Sequence, residues 1–144
     1  MIKLGRITSI LLLAFACAAF SGKKDTYGDV VVDEMVFIYD GDTFKANIKG
    51  RPPIIGDEIS IRLSGIDTPE KRDDDAHTMK KAEKARKYLA NRLRNAEVVV
   101  LKNIRRDKYF RLLADVYVDR WSMGKEMIRV GLAKEYLGGK RPSW

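Results

Sequence analysis

The chain has 144 residues and a formal net charge of +8. This length suits a single domain with its own hydrophobic core and is short for two ordinary domains. The chain contains one cysteine and one histidine, which excludes an internal disulfide and leaves a zinc site without enough of its usual ligands. The basic balance is compatible with a polyanionic partner, although Lys and Arg also serve simply to solvate helix faces.

The first 21 residues have the pattern of a secretory signal peptide. Lys3 and Arg6 precede an apolar run from Ile10 to Phe20, which small residues close. That run falls well short of the roughly 20 residues that a permanent membrane anchor needs. We therefore expect residues 1–21 to be removed, and residues 22–144 to form one exported domain, periplasmic or secreted. Without Lys3 and Arg6 the formal charge falls from +8 to +6.

Cys17 is open to two interpretations. It is either an apolar residue of the discarded segment or the acylated cysteine of a lipoprotein. Phe15 is bulky next to the cleavage point of such a lipoprotein signal, so a lipid anchor at Cys17 is the weaker alternative.

The first half of the chain predicts a three-stranded meander. Residues 29–39 and 43–48 are rich in apolar side chains, and the intervening Asp40-Gly41 is typical of a hairpin turn. Residues 58–63 alternate, with Ile59, Ile61 and Leu63 on one face of the strand. Arg62 is therefore expected on the opposite face.

The second half predicts a long helix, two strands and a short helix. From residue 76 to residue 95 there is no Gly or Pro, and apolar residues recur at spacings of three and four, as in the apolar face of an amphipathic helix, namely Met79, Ala82, Ala85, Leu89 and Leu93. Residues 97–101 and 112–118 have strand character, and a helix over about 122–130 precedes Gly131, a typical C-cap. This order of elements matches the five-stranded Greek-key barrel of the OB-fold, with a helix between strands 3 and 4 and a short helix after strand 5.

Two groups of polar residues follow predicted strands in the first half. Asp42 lies at the hairpin turn, where Asp and Gly also suit the backbone without any further role. Asp67 and Glu70 flank the turn at Thr68-Pro69 just past Arg62, and this turn could equally be a simple strand terminator. Carboxylates together with a backbone carbonyl are the ligands that calcium prefers.

A third group precedes the last strand, at Asp107-Lys108-Tyr109-Phe110-Arg111. The Arg111 guanidinium could bind a phosphate through two parallel hydrogen bonds, or it could be an ordinary solvated side chain. Asp73-Asp74-Asp75 precedes the long helix, where carboxylates favour the positive end of the helix dipole, so we interpret it as a helix start rather than a second metal site. Trp121 and Trp144 could stack on bases, although Trp121 is expected instead to cover the barrel.

Taken together, these segments resemble the thermonuclease family, the staphylococcal nuclease-like OB-fold enzymes. The matching motifs are DGDT at 40–43, RLSGIDTPE at 62–70, DKYFR at 107–111 and GLAK at 131–134. The resemblance covers about residues 28–137. The DKYFR segment has Phe110 where the family usually has Gly, and the long C-terminal helix of larger members is missing.

The resemblance implies a role for each matching residue. Asp42 and Asp67 would be calcium ligands, with the main-chain carbonyl of Thr68. Glu70 would orient or deprotonate the attacking water. The catalytic phosphate clamps would be Arg62 and Arg111. The residues that would contact the nucleotide are Lys108, Tyr109 and, near a family tyrosine though not in its register, Tyr136.

The activity implied is that of a calcium-dependent hydrolase, an endonuclease of the micrococcal nuclease type. It would cleave phosphodiester bonds of DNA and RNA by in-line attack of water and leave 3′-phosphate ends. No stable protein partner is implied, and we expect a monomer. The alternative is a non-catalytic OB-fold module that binds nucleic acid.

Overall fold

The computed structural model describes residues 26–71 and 75–144. The signal-peptide prediction for residues 1–21 and both interpretations of Cys17 lie outside the described residues, as do Asp73 and Asp74. Within the described part of the chain, no helix has both the length and the apolar character needed to cross a membrane.

One curled sheet contains most of the strands. Its strands are β1 (Val30–Val31), β2 (Glu34–Ile38), β3 (Thr43–Asn47), β4 (Ile59–Leu63), β6 (Val99–Arg106), β7 (Leu112–Val118) and β8 (Trp121–Ser122). A separate ribbon pairs β5 (Ile66–Asp67) with β9 (Lys134–Glu135), and the helices are α1 (Pro53–Gly56), α2 (Ala76–Arg94) and α3 (Met123–Arg129).

The strand order is β1-β6-β7-β4-β3-β2, with β8 added to β7. Only two residues separate β1 from β2, yet β1 pairs with β6 at one end of this order and β2 pairs with β3 at the other. The sheet therefore curls back on itself. β4 and β7 are parallel and the other pairs are antiparallel, which confirms the predicted OB-like architecture with α2 between the third and fourth long strands.

The alternation read from the sequence explains the core. Ile59, Ile61 and Leu63 are buried in β4 while Arg62 lies on the other face. Helix α2 covers the sheet with a stripe of small and branched residues, which are Ala82, Ala85, Leu89 and Leu93. Asp75 caps this helix by accepting hydrogen bonds from the amide and hydroxyl of Thr78, both at 2.8 Å, as expected for a carboxylate at a helix start.

Gly41 is required for close packing. A Cβ at this position would lie 2.7 Å from the Cβ of Ala85 and 3.0 Å from that of Thr68. Its φ is not positive, so it is the lack of a side chain, and not a left-handed backbone, that the hairpin needs here. The close approach holds the hairpin, α2 and the turn after β5 together.

Two expectations for individual side chains are wrong. Trp121 does not cover the barrel, since 71% of its surface is exposed. Met79 fits the apolar spacing of α2 but is 46% exposed, because it lies in the first turn of the helix, beyond the stripe that packs on the sheet.

Candidate active site

The hairpin between β2 and β3 places Asp42 inside the protein, with only 2% of its surface exposed. Its Oδ1 accepts a hydrogen bond from the Thr43 hydroxyl at 2.8 Å, and its Oδ2 lies 2.5 Å from Nη1 of Arg62. Burial raises the pKa of Asp42 to about 6, while the nearby Arg62 acts in the opposite direction. This carboxylate is therefore one that additional positive charge would stabilise.

Arg62 connects two carboxylates that belong to different elements, Asp42 of the hairpin between β2 and β3 and Asp67 of β5. It stands on β4 opposite Thr43 of β3, so the strand register directs its side chain toward the hairpin. Its Nη2 donates to the Ile66 carbonyl at 3.3 Å and lies 3.5 Å from Oδ1 of Asp67. One guanidinium thus bridges Asp42 and Asp67.

Asp67 belongs to the short ribbon of β5 and β9 and is completely buried. Besides Arg62, it contacts two residues near the carboxyl end of the chain. Arg141 donates to Oδ1 from Nε at 3.0 Å and from Nη2 at 2.8 Å, and Trp144 donates to Oδ2 from its indole nitrogen at 3.2 Å. The Arg141 guanidinium also approaches the Thr68 carbonyl at 3.4 Å and forms an ion pair with Glu70.

Arg111 lies across the cleft, in the loop between β6 and β7. Asp107 holds it in place. Its carboxylate accepts a hydrogen bond from Nε at 2.8 Å and forms an ion pair with Nη2 at 2.7 Å. Burial alone would raise the pKa of Asp107, but its hydrogen bonds with Arg111 and with the amides of Arg111 and Tyr109 keep that pKa below its usual value. The guanidinium is therefore held in place by a charged partner on its own loop.

Phe110 has a φ of 66°, in the left-handed region that favours glycine. The loop thus keeps a glycine-like backbone at this position although the residue is aromatic. The ring of Phe110 packs on the Arg106 guanidinium, with 4.2 Å between that group and the ring centroid.

Nearly all the predicted site residues line one cleft of about 490 Å³. The predicted members at its surface are Asp42, Arg62, Thr68, Glu70, Lys108, Tyr109, Arg111 and Tyr136. Asp67 lies just beneath, behind Arg141. Tyr109 is exposed beside two cations, with the Lys108 ammonium 5.0 Å and the Arg111 guanidinium 5.2 Å from its ring centroid.

Sequence reasoning did not connect two residues with the carboxylates of this site, Arg141 and Trp144. Both contact Asp67, which precedes Arg141 by 74 residues and Trp144 by 77 residues. Their segment, residues 137–144, has no periodic pattern, so no local signal connects them with the carboxylates. The charge of Arg141 and the single indole donor of Trp144 were the available hints.

Among the described residues, no group of three or more His, Cys, Asp or Glu side chains is arranged to hold a metal ion. The oxygen groups present are two buried carboxylates, a main-chain carbonyl and the carboxylate of Glu70. The Arg141 guanidinium contacts three of these four groups. All four groups present oxygen, the ligand atom that a hard cation such as calcium takes, and Arg141 supplies positive charge at this position.

Comparisons with known proteins place this chain among nuclease relatives. The family model described as staphylococcal nuclease homologue matches residues 60–142. An uncharacterized endonuclease of Haemophilus influenzae is 32% identical over 135 residues, which are 90% of this chain and 63% of the relative. The SPbeta prophage-derived endonuclease YokF of Bacillus subtilis is 34% identical over 108 residues, or 74% of this chain and 33% of the relative.

A probable endonuclease LCL3 of Phaeosphaeria nodorum is 37% identical over 83 residues, covering 55% of this chain and 28% of the relative. The chain thus spans less than two thirds of the length of these relatives. The family model, however, covers more than half of the chain and includes β4, the turn at Thr68, the Arg111 loop and Arg141. This chain belongs to the staphylococcal nuclease homologue family.

Proposed function

We propose that this protein is a calcium-dependent nuclease that hydrolyses phosphodiester bonds of DNA and RNA. The observation that carries the proposal is the bridge made by Arg62 between two buried carboxylates, Asp42 and Asp67, in a cleft that Arg111 and Glu70 also face. The endonuclease names of the relatives support the same reaction class.

The residues that would hold calcium are Asp42, Asp67 and the Thr68 carbonyl. Calcium takes oxygen ligands in an irregular shell that water completes, which suits two carboxylates and one carbonyl better than the strict octahedron of magnesium. Bound there, calcium would add its positive charge to that of the arginines beside the scissile phosphate.

The arginines would act on the phosphate. A phosphodiester gains negative charge on its equatorial oxygens as water attacks, so guanidinium groups aimed at those oxygens stabilise the transition state more than the ground state. Arg62 and Arg111 reach the cleft from different elements and could meet the phosphate on two sides. Lys108, Tyr109 and Tyr136 line the cleft where they would contact neighbouring nucleotides.

Glu70 would prepare the attacking water. More than half of its side chain is exposed although it pairs with Arg141, whereas Asp42 and Asp67 are buried and paired with arginines. It is therefore the carboxylate of the cleft best able to accept a proton from water. As the resemblance to the thermonuclease family implies, water would attack phosphorus in line with the 5′ oxygen, the P–O5′ bond would break, and the product would keep a 3′-phosphate.

The competing function is a binding module that holds nucleic acid without cleaving it. The presence of both arginines and all three carboxylates favours the enzyme. Export of the chain and its monomeric state stay predictions from the sequence.

A plasmid-degradation assay with the purified protein tests the proposal. We expect circular DNA to be cut in calcium, weakly in magnesium and not at all in chelator. Glu70→Gln should lower turnover by about 10²–10⁴-fold and leave substrate binding in place, because the amide keeps the shape but cannot accept a proton. The control is Glu97→Gln, since Glu97 is exposed and lines a different cavity.

Other outcomes would overturn parts of this assignment. Equal activity in magnesium, or full activity in chelator, would exclude the assigned calcium ligands. Tight binding of DNA without cleavage by the wild-type protein would establish the binding module instead.

A further inference from the structure

The C-terminal segment, defined here as residues 138–144, returns across the candidate site after β9 ends. Two residues at the end of the ribbon hold it there. Lys134 donates to the Ser143 carbonyl at 2.6 Å and lies 4.7 Å from the centroid of the Trp144 ring. The Tyr136 hydroxyl donates to the Gly139 carbonyl at 3.0 Å. The segment is thus attached at several points along its length.

This attachment adds a donor to each oxygen of Asp67, whose Oδ1 also lies 3.5 Å from Nη2 of Arg62. Arg141 takes Oδ1 with two nitrogens, and Trp144 takes Oδ2 with its indole N–H. Trp144 is neutral and has a single donor, so its contact fixes the orientation of the carboxylate without neutralising its charge. Arg141 is a cation and neutralises that charge.

The two contacts differ in their relation to a metal ion. Arg141 contacts Asp67, the Thr68 carbonyl and Glu70 at once, and two of these groups are proposed calcium ligands. A divalent cation would have to take the place of its guanidinium at Oδ1. Trp144 leaves Oδ1 open and can remain on Oδ2 while a cation is bound.

We propose that Arg141 and Trp144 are positioning residues for Asp67 that act on divalent cations in opposite directions. Trp144 orients the carboxylate for the metal, and Arg141 competes with the metal for the same oxygen. The inference rests on the proposed calcium site. It adds that residues of the C-terminal segment set the affinity of that site and prevent a buried, uncompensated carboxylate when the metal is absent.

Calcium affinity of the full chain, measured by titration calorimetry, tests this directly. Trp144→Phe keeps an aromatic ring, smaller than indole, but removes the N–H donor. We expect it to weaken calcium binding by about 10–100-fold, as is typical when a hydrogen-bond partner of a metal ligand is lost. Arg141→Gln removes the competing cation. It should tighten calcium binding by about tenfold or more, since the charge-assisted bonds broken on metal binding are no longer there to break.

Matched controls separate these effects from general ones. Lys140→Gln makes the same change in net charge one residue away, at an exposed position, and should shift calcium affinity only slightly. Trp121→Phe makes the same change of ring on β8. In a parallel titration with terbium, Trp144 should sensitise the emission of the bound ion, so the signal should survive Trp121→Phe and fall in Trp144→Phe.

The direction in which each substitution changes the calcium affinity decides whether the inference holds. If Arg141→Gln and Trp144→Phe both weaken binding, or both leave it unchanged, the segment is only a structural cover and the inference is overturned. If the folded wild-type protein binds neither calcium nor terbium, the proposed metal site itself is wrong, and the inference with it. Circular dichroism of each variant checks that the fold is kept. Should Trp144→Phe not fold, the tightening expected for Arg141→Gln still tests the competition.

Discussion

Arg111 is held by its own loop, which makes charge and geometry separable by one substitution. Asp107 takes Nε and Nη2 of the guanidinium, so one edge is anchored while the side chain still faces the cleft. A lysine keeps the charge but cannot pair with Asp107 and reach a phosphate through a planar fork. We expect Arg111→Lys to reduce turnover by about 10²-fold, the usual cost of losing one transition-state donor, with a smaller effect on substrate affinity.

Turnover of Arg111→Lys should be measured beside that of Arg62→Lys. Arg62 bridges Asp42 and Asp67, so its replacement disturbs both carboxylates and should also be severe. Arg129→Lys, at an exposed position on α3, is the control for a generic Arg-to-Lys change. If turnover collapses in Arg62→Lys but not in Arg111→Lys, Arg111 only attracts the polyanion and its assignment as a phosphate clamp is wrong.

The sequence motifs predicted which residues come together at the centre of the cleft. Asp42, Arg62 and Asp67 come together as the motifs indicated, because short turns and strand register determine where such residues project. Arg141 and Trp144 were not predicted, since their contacts with Asp67 depend on how the C-terminal segment folds back. The conformation of Phe110 was also not predictable, because a left-handed backbone at a non-glycine residue depends on the surrounding loop.

At the scale of elements, α2 and α3 are joined by one carboxylate. Glu126 on α3 accepts hydrogen bonds from the Tyr88 hydroxyl and from Nε of Arg92, both at 2.7 Å. Arg92 is the main cause of a lowered pKa at Glu126. Because the folded-state pKa lies below the ordinary value of 4.5, the stabilisation is present above that value and is lost as the pH falls through the folded-state pKa.

We expect Glu126→Gln to lower the free energy of unfolding by about 1.5–3 kcal/mol at pH 7, the range for hydrogen bonds to charged groups. The difference from wild type should shrink in acid, where Glu126 is protonated in both states. Urea unfolding at several pH values measures it. Glu83→Gln is the control, because its pair with Arg86 lies within α2 with Glu83 40% exposed, and it should cost no more than about 0.5 kcal/mol. Equal losses in the two variants would contradict a bridge between the helices.

The long elements were predicted from periodicity, while short and irregular ones were not. Strand β7 has the predicted bounds, and α2 ends within one residue of them. Helix α1 has four residues, too few for a helical period to appear. Strand β6 continues to Arg106, beyond the predicted end at residue 101. It does so through a register shift and a positive φ at Asn103, an irregularity that breaks the alternation a prediction needs.

The net charge of +8 of the whole chain does not show which Lys and Arg side chains contact a substrate. The structure divides them into two groups. Lys108 lines the cleft together with Arg62 and Arg111. Lys84, in contrast, lies on the exposed face of α2, away from the buried stripe of that helix. Only cations that contact phosphates release counterions on binding, so the two lysines should differ in their effect on salt dependence although their charges are equal.

The comparison is best made by measuring oligonucleotide affinity against salt concentration. With Glu70→Gln as the background, a single-stranded oligonucleotide can bind in calcium without being cleaved. Each phosphate contact to a single strand contributes about 0.7 to the slope of log affinity against log salt. Lys108→Gln should therefore reduce the slope by about 0.7, and Lys84→Gln should leave it unchanged because its charge acts only through the long-range field. An equal reduction in both variants would mean that the substrate extends over α2, and no reduction in either would remove Lys108 from the nucleotide-binding residues.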